Sequence, residues 1–237
     1  MPKRIKIAVV GEYSASFPPH VKTAEAFGHA EASLGIKVEP QWIPTLDLEL
    51  NAEKLSQYRA VLVAPGAPYE SMRGALNAIQ YCRETGLTLL GTCGGCQHIA
   101  IEFAHNVLGI SDAAHAESDP YASKLIITPL SCSLRGLTME VHVEPGSEAA
   151  KQYGAIRAAE QYYCNFGLNP EYQAQLHEAG LRVVGSDTNG EARILWLERH
   201  RFFVGTLFVP QLTSAPERPH PMIVGFLQAA AARPIST

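Results

Sequence analysis

The chain has 237 residues, 46% apolar and 18% charged, and its 19 basic and 23 acidic side chains leave a net charge of −4. That balance suits a folded α/β domain with a sizeable core and excludes the basic footprint of a nucleic-acid binder. The longest apolar runs, IAVV and LQAAAA, fall far short of the roughly 20 residues a bilayer span needs, and the opening MPKRIKIAVVGEY carries no signal-length apolar segment. A cytoplasmic protein with no membrane partner is therefore expected.

In chain order, 5–10 reads as a continuous apolar strand ending at Gly11, 20–34 as a helix and 36–42 as a second strand. A third strand over 60–64 is closed by Pro65 and Gly66. A helix over 71–85 ends at Gly86, a fourth strand covers 87–90, and a helix over 95–107 follows a tight turn. This alternation predicts a mostly parallel central sheet flanked by helices, with ligands outside the carboxyl ends of the strands. Beyond about Ser111 the pattern changes. Short strands at 124–129, 138–143 and 181–186, brief helices near 147–152 and 170–179, and a hairpin of 192–197 with 202–207 predict a small antiparallel extension. A helix over 221–232 closes the chain, and a single domain over 1–237 is expected.

The stretch LLGTCGGCQHIAIEFA (89–104) places Cys93 where a strand gives way to a helix. A helix N-terminus offers free N–H groups and a favourable dipole to a thiolate, and Gly91, Gly94 and Gly95 allow the sharp turn of a nucleophile elbow. Cys93 is accordingly the candidate nucleophile. The odd number of cysteines, five, argues against a secreted disulfide framework. Cys93 and Cys96 also spell C-G-G-C, so a redox pair stays open. No second Cys or His pair stands at ligand spacing, and neither a metal nor a cofactor is expected.

GTCGGCQ (91–97) resembles the G-I-C-L-G-M-Q nucleophile motif of the class I, triad-type glutamine amidotransferases, and within them the glutaminase domain of CTP synthase. The similarity runs on through IKIAVVGEY (5–13), LVAPGAPYESMRG (62–74), AESDP (116–120), NPEYQAQLHEAGL (169–181) and FVPQLTSAPERPHP (208–221). It implies a flavodoxin-like amidotransferase fold. It further implies an oxyanion hole from the main-chain N–H groups of Gly66 and Gly94, and substrate contacts from Gln97 and Glu117. The synthetase domain of that family has no counterpart in this sequence, so CTP synthesis by the chain alone is not expected.

The same resemblance exposes departures. The family's F-H-P-E-F, which carries the catalytic His and Glu, stands here as FVPQL, with Val209 and Gln211 in their places. Losing the general acid-base partner costs typically ~10² to 10⁴ in rate, so ordinary glutaminase activity is not expected. The segment similar to E-R-H-R-H-R-Y-E is EQYYCNFG (160–167), where Tyr162 and Tyr163 replace basic groups and point to a less acidic or more aromatic ligand. Tyr163 joins the candidate substrate contacts. Glu12, at the carboxyl end of the first strand, is the candidate replacement partner for Cys93, and His98 and His115 are weaker candidate bases.

Taken together, these features predict a Cys-nucleophile hydrolase of a small carbon–nitrogen substrate other than ordinary glutamine. Two other classes stay open: a catalytically silent binding protein of the same fold, and a redox or electrophile sensor acting through Cys93 and Cys96. A homo-oligomer and a synthetase partner are possible arrangements that no residue pattern specifies.

Overall fold

A computed structural model describes residues 3–232. In chain order the elements are β1 (Lys3–Val10), α1 (Pro18–Leu34), β2 (Ile36–Ile43), β3 (Ala60–Val63), α2 (Met72–Thr85), β4 (Thr88–Thr92) and α3 (Gly94–Asn106). They continue with β5 (Ala113–His115), β6 (Lys124–Pro129), β7 (Thr138–Val143), α4 (Glu148–Tyr153), β8 (Arg157–Gln161), β9 (Phe166–Leu168) and α5 (Pro170–Glu178). The last are β10 (Leu181–Ser186), β11 (Ala192–Leu197), β12 (Phe203–Thr206), α6 (Pro210–Thr213) and α7 (Pro221–Ala232). Two short 3-10 turns, Thr45–Leu48 and Ala52–Gln57, join β2 to β3.

Nine strands form one sheet in the order β2-β1-β3-β4-β12-β11-β10-β7-β8, and β5-β6-β9 form a second of three. From β2 to β12 every pairing is parallel, and from β12 to β8 every pairing is antiparallel. The expected α/β plan with an antiparallel extension is thus observed, and the extension is as large as the parallel half. Three strands escape the sequence reading. β8 is an exposed edge of sequence RAAEQ without apolar alternation, and β5 and β9 have three residues each; the expected strand over 202–207 is present as β12, one residue shorter at each end.

Successive side chains of a strand point to opposite faces, and β1 feeds both layers of the core accordingly. Ile5, Ile7 and Val9 join Phe27 of α1 and Phe226 of α7 on one face, while Ala8 and Val10 join Ile79 of α2 and Ile99 of α3 on the other. Phe27 and Phe226 stack at 6.3 Å between ring centroids, and full burial of side chains of this size contributes about 1.5–3 kcal/mol each. The helix boundaries follow their end residues. Prolines open α1 and Gly35 closes it in the left-handed region at φ 63°, and Ser71 caps α2 by accepting the Gly74 N–H at 3.0 Å. Among the described residues, no helix is long and apolar enough to cross a membrane.

Candidate active site

β4 and β12 run parallel with Gly91 opposite Gly205 and Thr92 opposite Thr206, and the chain leaves β4 straight into α3. Cys93 sits on the corner at φ 52°, ψ −109°, a conformation that costs a non-glycine residue on the order of 1–3 kcal/mol. The surroundings hold it there: its N–H donates to Thr206 O at 2.8 Å and its carbonyl accepts the Gln97 N–H at 3.2 Å. The corner is also closely packed. A Cβ on Gly95 would lie 2.4 Å from Val63 O, and one on Gly94 would lie 2.8 Å from Ala67 N, so glycine is what lets α3 approach β3 and the 65–68 loop.

That loop faces the sulfur. A Cys93 thiolate receives the Gly94 and Gly66 main-chain N–H groups, and the Cys164 thiol donates to it as well. The Cys164 hydrogen bond is the largest influence. Together these donors outweigh burial and hold the Cys93 thiol below its ordinary range, despite the nearby Glu117. Cys164 is pushed far up by that same hydrogen bond, then by burial and by the Cys93 charge. As a neutral thiol, Cys93 can donate instead to Tyr163 O at 3.6 Å. The structure therefore places Cys93, Gly66 and Gly94 together, as the motif implies.

A cavity of about 130 Å³ opens over the sulfur, lined by Phe17, Gly66, Ala67, Cys93, Gln97 and Glu117, and by Arg135, Tyr163, Cys164, Asn165 and Phe166. Gln97 is tied at both ends of its amide, donating to Phe166 O at 2.9 Å and accepting from His115 Nε2 at 3.1 Å. His115 Nδ1 in turn accepts the Glu117 N–H at 3.1 Å. Burial, and then His98, lowers the His115 pKa to about 3, so this imidazole is a neutral strut that positions Gln97 and Glu117. Likewise the His98 ring pairs through Nδ1 with Gly94 O at 2.8 Å, and burial lowers its pKa to about 4. Both ring nitrogens of His115 are thus occupied, and the Nδ1 of His98 is held by Gly94 O.

Three expectations need correcting. Glu12 does not line the cavity: its Oε1 accepts the Thr45 N–H at 2.9 Å and hydroxyl at 2.6 Å, and its Oε2 accepts the Glu70 N–H at 3.3 Å. A carboxylate so occupied anchors the loops beside β2 and α2, and no hydrogen bond links it to Cys93. Cys96 packs into the opposite core layer from Cys93, its sulfur 2.9 Å from where a Gly205 Cβ would lie, so C-G-G-C does not present two facing thiols. Finally, the cavity is not stripped of positive charge. Arg135 lines it, stacked 4.7 Å over the Tyr163 ring, and draws the Glu117 carboxyl back toward acidity against burial. Tyr163 is at the site as expected, whereas Tyr162 is fully buried beneath the sheet.

The positions of the missing relay are structural. Val209 is wholly buried at the residue that precedes α6, and its N–H donates to Gln161 O at 2.8 Å. Gln211 donates to Thr92 Oγ1 at 3.2 Å, directly beneath the corner, and its Oε1 is buried without a partner. His20 is a residue the sequence reading passed over. Its Nδ1 accepts the Ser14 N–H at 3.0 Å, which leaves Nε2–H to donate to Pro65 O at 2.7 Å. Pro65 O and the Gly66 N–H are two ends of one peptide group, so this bond both orients and polarises a donor to the sulfur. Burial lowers the His20 pKa, opposed by Pro65 and Glu12.

The glutamine amidotransferase class-I family model matches residues 22–229. CTP synthase of Sulfurisphaera tokodaii is 35% identical over 97% of this chain and 45% of its own length, and CTP synthase of Archaeoglobus fulgidus is 34% identical over 94% and 44%. The chain thus spans about half the length of these relatives. In fold, it superposes on the glutaminase domain of Trypanosoma brucei CTPS with bound acivicin at a TM-score of 0.89, 22% identity and coverage of 98% and 96%. A Thermotoga maritima glutamine amidotransferase follows at 0.55 and 11% identity, with 96% of each chain covered.

Proposed function

The chain belongs to the class I glutamine amidotransferases and is related to the CTP synthase glutaminase domain, and from that premise we propose a cysteine-dependent hydrolase of a small, amino-acid-like carbon–nitrogen substrate whose leaving group departs without an imidazole's proton. One observation carries this reading: two main-chain N–H groups and an acidified Cys93 converge on a cavity, while a buried valine fills the base position.

Cys93 attacks the substrate's electrophilic carbon as a thiolate, and the negative charge that develops on the attached heteroatom falls to the Gly66 and Gly94 N–H groups. Glu117 and Arg135, both at the cavity wall, suit the ammonium and carboxylate of an amino-acid-like ligand, Arg135 by its planar fork. The leaving group exits as a stable anion or takes its proton from solvent, and water hydrolyses the thioester or thioimidate. An ordinary amide leaves poorly under these conditions, because amine expulsion needs a general acid that Val209 cannot supply.

Acivicin, the compound bound in the Trypanosoma relative, is an apt probe because chloride leaves from it without a proton. Incubation should give one covalent adduct on Cys93, found by intact mass and peptide mapping, and Cys93→Ser should give none. Complete resistance of a folded protein whose Cys93 still alkylates with iodoacetamide would overturn the proposal.

A further inference from the structure

Cys93 has a thiol neighbour that no step above uses. Cys164 lines the same cavity, is 5% exposed, and comes from the loop between β8 and β9, far from the elbow in sequence. The Cys93 sulfur lies 3.6 Å from Tyr163 O, and that oxygen is one peptide group away from the Cys164 Cα. Covalent geometry then puts the Cys93 sulfur within about 6 Å of the Cys164 Cα, inside the reach of a short side-chain rotation. The Cys164 thiol can rest on Leu207 O at 3.6 Å or donate to the Cys93 thiolate. Both cysteines are free.

We propose that Cys93 and Cys164 form a catalytic dithiol that reduces small hydroperoxides, with Cys93 as the attacking thiolate and Cys164 as the resolving thiol. In the first step the Cys93 sulfur takes the terminal OH of the hydroperoxide. The O–O bond breaks, and the departing alkoxide or hydroxide takes a proton from solvent to become an alcohol or water. Cys93 is then a sulfenic acid. In the second step Cys164 gives up its S–H proton and bonds to the Cys93 sulfur; the hydroxide displaced from that sulfur leaves with the proton as water. One peroxide is reduced, two thiols are oxidised to one disulfide, and an external dithiol resets the pair.

The surroundings fit each stage. The donors that favour a thiolate also favour the charge on the oxygen leaving it. While Cys93 is anionic, its charge and hydrogen bond keep Cys164 protonated; a neutral sulfenic acid removes that restraint and frees Cys164 to react. A cavity of about 130 Å³ admits hydrogen peroxide or a short alkyl hydroperoxide readily, since a water molecule's share of liquid volume is only about 30 Å³.

The test uses the full chain carrying Cys132→Ser, which removes an exposed thiol outside the proposed machinery. Equimolar hydrogen peroxide should produce a Cys93–Cys164 disulfide in non-reducing peptide maps. With excess dithiothreitol the protein should consume peroxide at least about tenfold faster than free cysteine at pH 7, because more of its thiol is thiolate. Cys164→Ser should leave a sulfenic acid on Cys93, trapped by dimedone, and cut steady-state turnover at least about tenfold. A disulfide mapped to another pair, a Cys164→Ser protein that turns over like the parent, or peroxide consumption no faster than free cysteine would each overturn the proposal. Acivicin labelling of Cys164→Ser is read alongside, so failure of the peroxide cycle is distinguishable from failure of the hydrolytic reading.

Discussion

The two stretches that leave the carboxyl ends of the parallel strands β4 and β12 answer to different demands. Just after β4 the chain keeps a strained cysteine, glycines that admit close backbone approach, and two amides directed at the sulfur. At the end of β12 the equivalent stretch has turned inward, Val209 into the core and Gln211 into a bond beneath the corner. On the proposed reading, charge stabilisation and proton transfer are separable in this chain: the first rests on backbone placement, which packing maintains, and the second on two side chains that packing can absorb.

The most disruptive way to break that contrast is Gly94→Ala. Its Cβ would strike Ala67 N at 2.8 Å, displacing the loop that carries Gly66. Loss of one such donor typically costs ~10² to 10³ in rate, and iodoacetamide and acivicin labelling of Cys93 should slow together. The reverse experiment installs Val209→His with Gln211→Glu. Glutamine hydrolysis should rise by ~10² or more, the lower end of a general acid-base contribution. Thermal stability should fall, since both new polar groups enter buried positions.

A smaller effect is expected of His20→Ala. Without its bond to Pro65 O, the Gly66 N–H is less well aimed and less polarised, so the thiolate loses support. The midpoint of Cys93 alkylation against pH should move upward, with a severalfold lower rate at pH 7; an unmoved midpoint would show that the loop holds itself.

The mildest prediction concerns stability. His98 and His115 titrate near 4 and 3 in the folded chain, against 6.5 for the free side chain. Their folded values are lowered, so the unfolded chain binds protons first. The stability they contribute is complete above about pH 6.5 and declines as pH falls toward 4. Urea midpoints measured from pH 7 to pH 4 should therefore drop, and less steeply in His115→Gln.

Much of this was readable from residue order, and what was not has a spatial cause. Cys93, Gly94 and Gln97 lie within one five-residue motif, so their juxtaposition follows from the local turn. Gly66 and Glu117 came with short recognisable loops. Arg135, Cys164 and Asn165 sit on loops whose neighbours are chosen by the antiparallel extension, and β8, which delivers two of them, has no apolar alternation to announce it. Glu12 was assigned by the rule that strand ends converge, which holds to within a loop's width; the Thr45 hydroxyl and amide, arriving from the turn after β2, captured it first. Cys96 illustrates the limit of spacing alone, because a residue on the corner before a helix and one three positions on, inside its first turn, need not face the same way.

The bond from His20 to Pro65 carries one further implication. Ser14, His20, Pro65 and Gly66 make a continuous hydrogen-bonded path from an outer turn to the reactive sulfur. Nucleophilicity in this chain can consequently be dialled from outside the pocket: whatever stiffens or loosens the bend before α1 alters how comfortably electrons rest on Cys93, with no atom of the binding chamber exchanged.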